Sequence, residues 1–253
     1  MIQFAPMICI GLLMVCLEFR FPRRAERPDG VRWLTGAALV FTGQALVMLL
    51  APIMAMATAQ FASASGAGLL NHLNISPPLA AIVGFLIYDL RGYILHRVFH
   101  EVPLLWRLHR THHSDEKVDA STALRNHPGE AAVVSLVTVL FVQFFGVPPV
   151  AILAHFMIMQ VLDFWHHANI RAFPGQRRFG LIFNIPEFHE VHHSATRAQH
   201  DSNYGSILSI WDRMFGTLID DPALEGRMEY GLDKEYWNHP STVGSLLIDP
   251  IRK

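Results

Sequence analysis

Between Trp33 and Tyr88 the chain carries no Asp, Glu, Lys or Arg, and the same holds from Ala131 to Leu162. Uncharged apolar runs of this length have few places to go. A bilayer core of about 30 Å takes a helix of roughly 20 apolar residues, and backbone polar groups within it must be satisfied inside the helix. A large soluble helical core would instead interrupt its apolar stripe with polar residues every turn or two. Charged residues are 16% of the chain, against about 25% in an ordinary soluble domain. The expected fold is all-α: a multi-pass helical membrane protein with about four transmembrane helices.

Along the chain, the apolar run Ile2–Leu17 contains Pro6 and is short for a span. It lacks a basic leader and a small-residue cleavage site, so it reads as an anchor and not a removed signal. Its two cysteines, Cys9 and Cys16, read as lipid-facing or packing residues, not as a disulfide or metal pair. An arginine-rich loop, Glu18 to Arg32, follows. Residues 33–58 form the clearest span, 59–76 read as a loop, and Pro77–Pro78 open a helix that runs on into Asp89, His96 and His100. Residues 131–145 and 150–162, on either side of Gly146-Val-Pro-Pro149, read as a membrane hairpin whose arms are each somewhat short. Basic short loops stay cytoplasmic. With Arg20–Arg32 inside, the crossings return every histidine group to the cytoplasmic face.

Those groups are the second constraint. His96 and His100 are four apart, and His109, His112 and His113 form H-x-x-H-H. A second H-x-x-H-H lies at His189, His192 and His193, and a pair at His166–His167. Ten of the fifteen histidines fall in these short runs. On a helix, positions i, i+3 and i+4 share a face, so each run aims several imidazoles at one spot. Imidazole suits zinc, iron, copper and nickel, and the three main clusters supply more ligands than one ion accepts. Two ions are expected. Net charge is −1 with no basic stripe, so nucleic acid is not a partner.

The stretches H-R-V-F-H, L-H-R-T-H-H-S, E-F-H-E-V-H-H-S and N-Y-G-S-I-L-S-I-W-D-R-M-F-G-T, over roughly Tyr88 to Ile219, resemble the fatty acid hydroxylase/sterol desaturase superfamily of membrane diiron enzymes. The resemblance implies a cytosolic-face, histidine-rich metal domain with two iron ions, a lipid substrate, and O2 as oxidant. Electrons would come from NAD(P)H through an external electron-transfer protein. The activity implied is hydroxylation or desaturation of an unactivated C–H bond of a sterol, fatty acyl chain or related lipid. The ligands implied are His96, His100, His109, His112, His113, His189, His192 and His193, with His167 preferred over His166. The chain then divides into transmembrane helices at 1–95, a catalytic region at 96–219 that includes the hairpin 131–162, and a tail at 220–253.

Asp89, two turns before His96, and Asp163, one turn before His167, are candidates to hold an imidazole N–H. His127 is either a further ligand or a helix-start residue. His200 reads as a loop residue or a support for a ligand, His155 as a satisfied core histidine in preference to a residue lining a substrate channel, and His72 and His239 as surface residues. Trp211, Phe215 and Ile219 are spaced for an amphipathic helix on the bilayer, Asn203-Tyr-Gly205 for a turn. Arginines 107, 110, 171, 177, 178 and 197 are expected at lipid headgroups. A zinc-loaded or hydrolytic site, and a non-catalytic metal transporter or sensor, are the competing functions, since nitrogen ligands alone do not select iron. Short loops and the lack of a dilysine tail favour a bacterial inner membrane over endoplasmic reticulum.

Overall fold

A computed structural model describes residues 4–26, 29–233 and 242–251; His239 lies outside them. The described chain is helical, with only isolated β-bridges among its described residues. Helix α1 is Phe4–Arg20, α2 Gly30–Leu39, α3 Ala45–Ser65, α4 Pro77–Glu101, α5 Pro103–His113, α6 Pro128–Phe145 and α7 Pro149–His167. Four segments are long and apolar enough to cross a membrane: Leu49–His72, α4, α6 and α7. Their outward faces carry Ile82, Leu136, Leu140, Phe144, Leu153 and Met157, all exposed, as lipid-facing helices require. Cys9 and Cys16 are free and exposed.

The span expected at 33–58 is displaced. Residues 30–39 form α2, which packs on residues 120–124, and a π-helical turn at Val40–Gln44 separates it from α3. The expected loop at 59–76 is helical through Ser65, because its alanines are strong helix formers and Ala59 and Ala62 are small enough to be fully buried. Both hairpin arms are longer than the apolar runs suggest. They gain length from polar ends, α6 starting behind the His127 cap and α7 continuing through Asp163 to His167.

Prolines set the corners. Pro103 cannot continue α4, since the residue before proline avoids helical backbone, yet it suits the first turn of α5. The chain therefore folds back between Glu101 and Pro103 and lays His109 and His113 beside His96 and His100. At the opposite end Gly146 adopts φ 64 and stops α6. A Cβ at Gly68 would lie 2.3 Å from Gly146 N, so only glycine permits that approach.

Histidines collect at one end of the bundle, at the C-terminal ends of α4 and α7 and the start of α6. The arginine-rich loop sits there too. Arg23 and Arg24 pair with Glu190, and Arg32 pairs with Asp115 and Asp119.

Candidate metal centre

Nine imidazoles from four segments sort into two groups whose ligand atoms lie within 4.8 Å of one another. His96, His100, His109, His113 and His192 form the first; His112, His167, His189 and His193 form the second. Each H-x-x-H-H run divides itself between the two. In α5, His109 and His113 face one group and His112 the other; around the Pro186–His192 helix, His192 joins the first and His189 and His193 the second. Centroids of the His113 and His193 rings stack 4.7 Å apart where the groups meet.

Hydrogen bonds fix several of these rings. A carbonyl oxygen only accepts, so an Nδ1 facing one must carry the proton, leaving a lone pair on Nε2. His96 Nδ1–H donates to Tyr204 O at 3.0 Å, His192 Nδ1–H to Ser202 O at 2.7 Å and His167 Nδ1–H to Asp163 O at 2.6 Å. Carboxylates hold two more: Glu130 accepts from His109 Nδ1 at 2.8 Å and Asp201 from His100 Nδ1 at 3.1 Å. Ser202 and Tyr204 flank Asn203, whose φ of 53 is left-handed. That conformation, which Asn tolerates better than most residues, lies between two carbonyls that meet different imidazoles. The expected turn is thus part of the site's scaffold.

The donor set fits metal ions. The Nε2 atoms of His96 and His109 are 3.2 Å apart although both rings already donate through Nδ1, so two lone pairs face each other. Two inward ring nitrogens of the first group, His100 Nε2 and His192 Nε2, are buried without a hydrogen-bond partner among the described residues. Each such atom costs about 1–3 kcal/mol. Protonation does not relieve this: burial first, then neighbouring imidazoles, depresses His112, His113, His189 and His193 well below the ordinary imidazole range, and His192 likewise. A cation in each group would satisfy every inward lone pair at once.

Several expected residues sit elsewhere. His127 is not among the grouped ligands. Its Nδ1 accepts from Gly129 N at 3.0 Å as the cap of α6 and its Nε2 lies 3.2 Å from Leu247 O, so both nitrogens are engaged and the helix-start role replaces the ligand role. Asp89 holds an imidazole, but that of His155 at 3.1 Å and not that of His96. It also accepts from Ile207 N, Leu208 N and Trp211 Nε1, at 3.1, 3.2 and 2.8 Å, and so anchors the loop that carries Tyr204. Asp163 serves His167 through its backbone carbonyl; its carboxylate is 3.8 Å away and half exposed. His166 bonds Asn184 O; His200 stacks on Trp106 and bonds Ser194 O, and stands beside His100 and Asp201 at the edge of the first group. The helix at Ile210–Phe215 ends at Gly216 and buries Trp211, so no bilayer-lying helix reaches Ile219. Arg110 is buried against Asp249 and not at headgroups.

Glu130 and Asp201 were missed. Glu130 left a signal, an acidic residue in the first turn of a spanning helix; Asp201, in a polar loop, left none. An apolar cavity of about 340 Å³ runs from His96 and Glu130 into the spanning helices, between Ala55, Tyr88, Ile152, Phe156 and Met159.

The chain matches the fatty acid hydroxylase family over residues 81–217. It is 36% identical over 144 residues to alkylglycerol monooxygenase of Caenorhabditis elegans, an alignment covering 54% of this chain and 27% of that protein. To the human alkylglycerol monooxygenase it is 35% identical, over 58% of this chain and 32% of the relative. To an ornithine lipid hydroxylase of Rhizobium tropici it is 29% identical, over 56% and 42%. The chain thus spans less than half the length of these relatives. No solved structure gives a significant match.

Proposed function

Because the chain belongs to the fatty acid hydroxylase family, whose members perform iron-dependent hydroxylation, we propose that it is a membrane-bound diiron oxygenase acting on an unactivated C–H bond of a lipid. The observation that carries this reading is the pairing of two imidazole groups with an apolar cavity that ends on one of their members, His96. Alkylglycerol monooxygenase and ornithine lipid hydroxylase among the relatives favour hydroxylation over desaturation. The balance is then one lipid C–H, O2, two electrons and two protons giving an alcohol and water. Electrons come from NAD(P)H through a separate electron-transfer protein. The metal end, which carries the arginine-rich loop, faces the cytoplasm, in a bacterial inner membrane.

His96, His100, His109, His113 and His192 would hold one iron, and His112, His167, His189 and His193 the other. Bound iron supplies the activation of O2. The chain's own contribution is geometric and electrostatic. Tyr204 O, Ser202 O, Asp163 O, Glu130 and Asp201 keep five imidazoles in the tautomer that presents a lone pair inward. Apolar walls keep bulk water from the cavity and hold a hydrocarbon chain against His96. Purification without oxygen followed by metal analysis tests the reading: about two irons per chain are expected. In cells that make the protein, lipid mass spectrometry should show a species heavier by one oxygen atom. Bound zinc with no oxygen consumption would sink it.

A further inference from the structure

The cavity holds one charge that the metal centre does not use. Arg91 stands in its wall inside spanning helix α4, with 9% of its surface exposed. One terminal nitrogen donates to Thr138 Oγ1, Nε reaches Tyr88 O at 3.4 Å, and the guanidinium lies 4.3 Å over the Tyr88 ring. Among the described residues no carboxylate forms an ion pair with it. Asp89, two positions away, is occupied by His155, Ile207, Leu208 and Trp211. An arginine at membrane depth is costly and is kept where it serves a pathway or a partner. Buried cations are normally paired. This one has a hydroxyl, a carbonyl and a ring, none of them a full negative charge.

Ser135 and Thr138 share the same wall, while the remainder of the lining is mostly apolar. We propose that Arg91 receives the anionic end of the substrate, a lipid carboxylate lying head-inward beside Thr138 and Ser135. This deepens the oxygenase reading and rests on it. The guanidinium matches a carboxylate through two parallel N–H donors, and a chain inserted tail-first would set methyl groups against a buried cation. Arg91 and His96 are five residues apart on one helix, a rise of about 7.5 Å. With the carboxylate on Arg91, the C–H bond that reaches His96 is near the charged end of the chain.

The test is equilibrium displacement of labelled hexadecanoate from the intact chain in detergent, purified without oxygen and with its iron content measured. Unlabelled hexadecanoate, hexadecyl phosphate and methyl hexadecanoate compete. Hexadecanoate should bind at least about tenfold tighter than its methyl ester. Arg91→Gln should erase that difference without changing iron content, and Arg91→Lys should keep part of it. Equal binding of acid and ester by the unmodified chain overturns the proposal, even if Arg91→Gln does not fold. Tighter binding of the phosphate overturns the choice of carboxylate, and an unchanged preference in Arg91→Gln removes Arg91 from recognition. A protein that discriminates acid from ester through Arg91 but binds no iron would sink the oxygenase reading alone.

Discussion

The two imidazole groups look alike in sequence and differ in how the protein holds them. In the group of five, four rings have Nδ1 tied down, to Tyr204 O, Asp201, Glu130 and Ser202 O. In the group of four only His167 is tied, and the Nδ1 atoms of His112, His189 and His193 have no partner among the described residues. The first group is therefore preorganised: its tautomers and ring planes are set before an ion arrives. Outer contacts of this kind are typically worth about 10–100-fold in metal affinity or activity. The second group keeps its shape through ring packing, such as the His112–His193 contact with centroids 4.6 Å apart. It should depend more on the ion itself. The preorganised group is also the one that touches the apolar cavity, through His96.

Removing a ligand should have the largest effect and should expose this asymmetry. His112→Ala, His189→Ala and His192→Ala should each abolish lipid oxidation, whereas the exposed His72→Ala should leave it intact. Iron analysis separates the groups. His189→Ala leaves three ligands, only one of them tied, and should drop to about one iron per chain. His192→Ala leaves four ligands, three of them tied, and should retain part of its second iron. Equal losses in the two variants would mean that the outer contacts do not matter.

Next in size is Glu130→Gln, which weakens the acceptor holding His109 in the tied group. Iron affinity there should fall by about 10–100-fold, measured by competition with a chelator, with the group of four unaffected. A loss confined to the group of four would reverse the assignment.

How the sequence conveyed all this differs by layer. The spanning helices were legible because the bilayer forbids charge over long runs, and the pairing of the histidine runs because i, i+3 and i+4 share a face. The split of each H-x-x-H-H between two groups was not, since the spacing places three rings together without saying which neighbour each meets. Spans began and ended elsewhere than the apolar runs did, because polar residues at α6 and α7 ends are sheltered by the metal domain. Asp89 was legible as important and misread in its partner. A carboxylate's helical spacing to His96 cannot reveal that His155, from another helix, is nearer.

A smaller effect comes from pH. Burial and mutual proximity depress His112, His113, His189, His192 and His193 in the folded chain, while the unfolded chain binds protons below about 6.5. The unfolded state then holds more protons on acidification, so stability of the metal-free protein is lost as pH falls through that range. Four of the five have an unpartnered Nδ1, three of them in the group of four, so that group should loosen first. Thermal unfolding of the metal-free protein should show a midpoint that is flat above about pH 7 and falls steadily below about 6.5. A midpoint that rises on acidification would mean that the folded imidazoles take up protons and that the groups are open to water.

The smallest effect belongs to Asp163→Asn, and it is the sharpest control on the comparison. Spacing alone makes Asp163 the natural support for His167, one turn further along α7. The structure gives that task to the Asp163 backbone carbonyl, at 2.6 Å, with the carboxylate 3.8 Å from the same nitrogen and half exposed. A backbone acceptor survives a side-chain change, and a carboxylate 3.8 Å from the ring nitrogen is beyond hydrogen-bond distance. Iron content and activity of Asp163→Asn should therefore stay within about twofold of the unmodified chain, while Glu130→Gln falls further. If the two variants lose iron equally, the carboxylate and not the carbonyl sets the tautomer of His167. The group of four would then have a side-chain anchor of its own, and the contrast between the two groups would disappear.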